Sequence, residues 1–184
     1  MKSPNILIVD DNLDNLKVLS GMLAAYDYKV RRAITGAIAL RSIEAVLPHL
    51  ILLDILLPDY SGYEICQQLQ QNPRTCAIPI IFISALNSTL DKVKAFAAGG
   101  VDYITKPFEM AEVAARVRNQ LQVQAAKAEV EILNAELESR VNQRTAQLTA
   151  AKVNLEQQVQ ERLLAEAALR QSENRFRALI ENIS

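Results

Sequence analysis

The sequence predicts a doubly wound α/β domain, five parallel strands with helices on both faces, followed by one long helix. Three observations carry this. Over residues 1–107 short apolar runs alternate with stretches of helical spacing. The runs 6–9, 50–53 and 80–83 are apolar throughout, which calls for cover on both faces of the sheet. All five glycines, six prolines and eight aspartates lie at or before Pro107, so Phe108 to Ser184 contains no Gly, Pro or Asp to interrupt a helix.

The elements follow in order. Strands are predicted at Asn5 to Asp10, Lys29 to Ala33, Leu50 to Asp54, Pro79 to Ser84 and Val101 to Thr105. Between them Leu13 to Ala25, Gly36 to Val46, Gly62 to Gln71 and Ser88 to Ala98 have amphipathic helical spacing. A fifth helix runs from Phe108 to about Gln124, with Met110, Val113, Ala114, Val117 and Leu121 facing the sheet. The apolar series then continues through Leu133, Leu137, Val141, Leu148, Leu155, Val159 and Leu163 at sums of three and four residues, interrupted by Arg144, Lys152 and Gln158. That spacing keeps one seam facing a partner, with local stutters, and predicts a parallel coiled coil and a homodimer through this helix. The domains expected are therefore residues 1–122, a linker helix over 123–168, and a tail over 169–184.

Half the residues are hydrophobic and the net charge is −1, which argues against nucleic acid or an anionic membrane as partner. The N-terminal apolar run stops at Asp10, and no later run is long enough for a membrane span, so a cytoplasmic protein is expected. Cys66 and Cys76 form no CxxC pair and are read as reduced thiols. His49, the only histidine, follows Pro48 in a loop and is read as exposed. No Gly-rich nucleotide loop occurs.

One residue stands out. All six positions within three of Asp54 are Leu or Ile, and a charge in so apolar a run either faces solvent at a strand end or has a strong partner. The other chemistry-bearing residues also fall at carboxyl ends of predicted strands: Asp10 and Asp11, Ser84, and Lys106 just beyond the fifth. Ligand crevices of open α/β sheets lie outside those ends. Carboxylates gathered there repel one another unless a cation sits among them, and an all-oxygen cluster suits Mg²⁺. A hydroxyl and a lysine opposite would complete a site for a transferred phosphoryl group. Singly, each residue has a plainer explanation: Asp10 and Asp11 as helix caps, Ser84 as a strand end, Lys106 as a surface lysine.

Asp10-Asp11, Asp54, Pro58, Gly62, Ser84-Ala85, Gly99 and the run YITKPF from Tyr103 to Phe108 together resemble the receiver domain of two-component response regulators over residues 4 to 122. The resemblance implies a flavodoxin-like sheet of order 2-1-3-4-5. It implies that Asp54 accepts a phosphoryl group from a sensor histidine kinase or phosphotransfer protein, and that Asp11 and Asp54 bind Mg²⁺ with the main-chain carbonyl of Leu56, Asp10 acting directly or through water. It further implies that Lys106, across a cis bond to Pro107, and Ser84 contact the phosphoryl oxygens, while Tyr103 turns inward as a switch. Tyr60, Gly100-Val101 and His49 depart from the usual pattern, away from the pocket. Leu56 offers no acid or amide to position an attacking water, so a long-lived phosphoryl group is expected.

The chain is thus expected to be a phosphoacceptor signalling domain and not an enzyme, passing its state through the dimeric coil to an output beyond Ser184. The tail LRQSENRFRALIENIS resembles the opening helix of a PAS domain. The competing reading is a receiver-like dimerisation module that is never phosphorylated.

Overall fold

A computed structural model of the chain describes residues 3–85 and 89–181. The elements alternate as β1 (Asn5–Val9), α1 (Leu13–Ala25), β2 (Lys29–Ala33), α2 (Gly36–Ala45), β3 (Leu50–Asp54), α3 (Gly62–Gln71), β4 (Ile80–Ser84), α4 (Thr89–Ala97), β5 (Asp102–Thr105) and α5 (Met110–Glu181). These match the predicted elements to within one or two residues at each end, where helices and strands fray, except that the fifth helix and the linker helix after it form one element ending at Glu181. Ser88, the predicted start of the fourth helix, lies outside the described residues, as do residues 182–184 of the tail.

All five strands are parallel, in the order β2-β1-β3-β4-β5. The side chains of each strand alternate between two cores. Leu7, Val9, Ile51, Leu53 and Phe82 face Ala39 and Ile43 of α2, Ile65, Cys66 and Leu69 of α3, and Ala95 of α4. Ile6, Ile8, Leu50, Leu52, Ile81 and Ile83 face Leu16, Leu19 and Leu23 of α1 and Val113 and Val117 of α5. Both faces are covered, which is why the central strands carry no polar alternation. Each fully buried Leu or Ile contributes on the order of 1.5–3 kcal/mol of transfer free energy.

Local chemistry sets the helix starts. The side chain of Asn12 accepts from the N–H groups of Asp14 and Asn15 and caps α1, and Thr35 caps α2. Ser61 and Glu64 form a reciprocal capping box at α3. The Asp59 carboxylate, from the loop after β3, accepts from Gly36 N–H at 2.8 Å and Ala37 N–H at 2.9 Å at the start of α2. Those backbone donors hold its carboxyl below the usual range. Two glycines are required by geometry: Gly99 has φ +101°, and a Cβ on Gly62 would lie 2.3 Å from the carbonyl oxygen of Asp54.

His49 is exposed, and its Nδ1 accepts from the Asn5 N–H at 3.0 Å. Both cysteines are free thiols, Cys66 buried and Cys76 exposed. Burial pushes the Cys66 thiol up to about 11. Alkylation of the native protein at neutral pH is therefore expected to label Cys76 alone, with Cys66 labelled only after denaturation; equal labelling of both would contradict this packing.

The chain divides into two compact units, Met1–Ala128 and Glu129–Ser184. The second is a single helix within the described residues. Leu133, Leu137, Val141, Leu148, Leu155, Val159 and Leu163 are each roughly half exposed or more. Its ion pairs are spaced at i,i+4: Glu136 with Arg140, and Lys152 with Glu156. No helix among the described residues is long and apolar enough to cross a membrane.

Candidate functional site

The strand order reverses between β1 and β3, and the loops leaving their carboxyl ends open the crevice typical of such sheets. Asp10 follows β1 directly, and Asp54 is the last residue of β3, paired in register with Ile83 of β4. Asp11 lies beside Asp10 and is exposed. One carboxylate oxygen from each of Asp10, Asp11 and Asp54 lies within 4.8 Å of the others. Three aspartates from the carboxyl ends of two strands are brought to one point.

Asp54 has a partner rather than a solvent outlet. It is 5% exposed and Asp10 is 1% exposed. Lys106 follows β5 directly, its bond to Pro107 is cis, and its ammonium donates to Asp54 Oδ2 at 2.5 Å and to Asp10 Oδ2 at 2.8 Å. Leu56 N–H donates to Asp54 Oδ1 at 3.1 Å. Burial pushes the Asp54 carboxyl above its usual range, and the hydrogen bond and charge of Lys106 offset this only in part. Burial acts on Lys106 in the opposite sense, but two carboxylates outweigh it and its ammonium is held above the usual value. The two shifts are compatible, because one lysine serves two acids.

Because the carboxyl of Asp54 is raised, the stability it contributes is present below the usual carboxylate range and is lost as pH rises through its folded value. At neutral pH its ionised form is the costly one. Asp54→Asn is therefore expected to raise the melting temperature at pH 7 in a chelating buffer; a lower melting temperature would contradict this balance.

The hydroxyl-bearing residues stand on the far side of Asp54. Ser84 closes β4 and is fully buried. Tyr103 of β5 is 6% exposed, with its ring turned into the core, and its side chain shares a hydrogen bond with Ser84. Lys92 of α4 stands 6.0 Å from the centroid of the Tyr103 ring. Tyr63 of α3 donates its hydroxyl to the Asp91 carbonyl at 3.2 Å and packs its ring on Phe82. The Leu56 side chain is 59% exposed, two residues beyond the acid.

The predicted residues Asp10, Asp11, Asp54, Ser84, Tyr103 and Lys106 thus converge on one sheet edge. Sequence reasoning missed Asn15, whose amide donates to Asp10 Oδ1 at 3.1 Å and Oδ2 at 3.0 Å. The donor set fits a hard divalent cation. It is all oxygen, anionic and offers few protein ligands, which suits Mg²⁺ with its retained waters better than a metal that wants nitrogen or sulfur.

Comparison with known proteins identifies the family of the fold. The family model for the response regulator receiver domain matches residues 6–118. The chain is 39% identical over 136 residues to the DNA-binding dual master transcriptional regulator RpaA of Synechocystis sp., covering 71% of this chain and 56% of that protein. It is 38% identical over 143 residues to a probable cyclic di-GMP phosphodiesterase of Vibrio cholerae, covering 78% of this chain and 32% of that one. The chain spans only about a third to a half of these relatives. A crystal structure of a putative response regulator from Chloroflexus aurantiacus superposes with a TM-score of 0.64 at 39% identity, covering 66% of this chain and 99% of that one. The BeF3-activated DrrB receiver domain gives 0.59 at 36% identity, covering 65% and 98%. With the family model covering more than half of its length, the chain belongs to the response regulator receiver domain family.

Proposed function

We propose that this chain is a phosphoacceptor that takes a phosphoryl group onto Asp54 from a phosphohistidine of a sensor histidine kinase or phosphotransfer protein. The observation that carries it is the buried Asp54 carboxylate, at hydrogen-bond distance from Lys106 and within reach of two further acids. In the transfer an Asp54 carboxylate oxygen forms a bond to phosphorus as the phosphorus–nitrogen bond breaks. The electron pair returns to the imidazole, which takes a proton from solvent. Asp11 and Asp54, with the Leu56 main-chain carbonyl and Asp10, would hold Mg²⁺. When bound, Mg²⁺ supplies charge neutralisation for the phosphoryl oxygens. Lys106 moves from the carboxylates to a phosphoryl oxygen, and Ser84 donates to another. Tyr103, already hydrogen-bonded with Ser84, follows that hydroxyl and passes the change to α4. With Leu56 offering no group to orient a water, the acyl phosphate is long-lived.

Downstream, the helix over 129–181 pairs with a second copy as a parallel coiled coil and carries the state onward to an output in the same cytoplasmic protein. The tail from Leu169 leads into a PAS-like module. The exposed series from Leu133 to Leu163 supports the pairing, since an apolar stripe left in water over several turns favours a partner. Sedimentation should show association of the full chain that Leu148→Glu weakens; an unchanged mass distribution would remove the dimer.

The experiment for Asp54 is beryllofluoride with Mg²⁺, whose complex mimics the phosphoryl group. The wild type should bind it and Asp54→Asn should not. A wild type that fails to bind supports the alternative of an unphosphorylated dimerisation module.

A further inference from the structure

We infer that Asn15 is a positioning residue of this site: it holds Asp10 so that Lys106 can leave it for the phosphoryl oxygens on Asp54. The inference rests on the phosphoacceptor reading above.

Asp10 is almost fully buried, and its carboxylate takes four hydrogen bonds from three donor groups. Asn12 N–H reaches Oδ1 at 2.9 Å, the Asn15 amide reaches both oxygens, and Lys106 Nζ reaches Oδ2. A buried carboxylate deprived of donors is costly, and hydrogen bonds to an ionised group are the stronger kind. In the free protein Lys106 is shared between Asp10 and Asp54. A phosphoryl oxygen on Asp54 competes with Asp10 for the three N–H donors of that one ammonium.

Once Lys106 turns away, Asp10 retains Asn12 N–H and Asn15 as its protein donors. Asn15 is well built for that task. It stands in the first turn of α1, where its own N–H bonds the Asn12 cap at 3.2 Å, so the backbone is fixed while the side chain spans the Asp10 carboxylate. An amide also brings no charge. A lysine or arginine at this position would satisfy Asp10 equally well but would compete with a divalent cation for the three acids. Without Asn15, Lys106 becomes the only side-chain donor among these partners of Asp10, and each departure of Lys106 costs more.

A positioning role for Asn15 differs from a purely structural one in its coupling to Lys106. In Lys106→Met, Asp10 has lost its lysine both before and after the adduct forms, so removing Asn15 adds an equal cost to both states. The test is a double-mutant cycle on the full chain, with beryllofluoride affinity measured at saturating Mg²⁺. Asn15→Leu, close to isosteric, should weaken beryllofluoride binding about tenfold, the equivalent of about 1.4 kcal/mol. It should change Mg²⁺ affinity without beryllofluoride by less than about threefold, on the same scale. In the Lys106→Met background it should cause no further loss. Should Asn15→Leu not fold, Asn15→Ala carries the same expectation. Equal beryllofluoride affinity in wild type and Asn15→Leu overturns the assignment while leaving Asp54 as acceptor. A full tenfold loss in the Lys106→Met background overturns it too, because the effect would then not pass through Lys106. Absence of binding in the wild type overturns the phosphoacceptor reading and this inference together.

Discussion

Lys106→Met is expected to destabilise the protein by about 3 kcal/mol in a chelating buffer at neutral pH, and added Mg²⁺ should restore most of that loss. Lys106 lies within hydrogen-bond distance of two acids, Asp10 and Asp54, whose side chains are 2% and 6% exposed. Removing it leaves like charges facing one another in a poorly solvated crevice, and breaking a buried pair from one side generally costs more than the pair itself contributes. A divalent cation binding the acids replaces the missing charge, so the stability gained per increment of Mg²⁺ should be larger in the variant than in the wild type. Chemical denaturation with and without Mg²⁺ reads both. A variant as stable as the wild type in chelator would mean that the acids are better solvated than their burial implies.

Gly62→Ala should cost about 3 kcal/mol and disturb the site without altering any of its side chains. The added Cβ would lie 2.3 Å from the Asp54 carbonyl oxygen and 2.9 Å from the Ile55 Cα, which are backbone atoms with no rotamer to yield. Gly62 N–H also donates to the Ile55 carbonyl at 2.8 Å, so the loop cannot open without losing that bond. Relief therefore requires Asp54 itself to shift, and beryllofluoride affinity should fall with stability. Gly21 is the internal control. A Cβ there meets nothing within 4 Å, and its place within α1 makes Gly21→Ala stabilising by roughly 0.5–1 kcal/mol. If Gly62→Ala melts with the wild type, the close approach of α3 to Asp54 is not as described.

Most of the fold was legible because the apolar runs are unambiguous. Leu50 to Leu53 and Ile80 to Ile83 are apolar at every position and are buried at every position, and the breaker-free stretch after Pro107 became α5. The pocket was legible because its residues terminate strands, and strand ends are visible in sequence. Less visible were polar residues whose partners lie outside their own element. Asn15 reads as a solvated residue in the first turn of a helix, and nothing in the local pattern aims it at Asp10. Asp59 reads as a turn residue, yet it caps α2 more than twenty positions earlier. Arg31 reads as one more strand residue, yet its guanidinium donates to the Ser42 and Val46 carbonyls at the end of α2. Tertiary hydrogen bonds of this kind have no periodicity to betray them.

Asp54 is the residue proposed to receive the phosphoryl group. The most direct measurement is to incubate the full chain with Mg²⁺ and a small-molecule phosphodonor, trap the acyl phosphate by borohydride reduction, and map the modified position by peptide mass spectrometry. Modification at Asp54 alone, with none in Asp54→Asn, is the predicted result. A wild-type chain left unmodified, or a label at Asp10, Asp11 or any other residue with Asp54 intact, would contradict it.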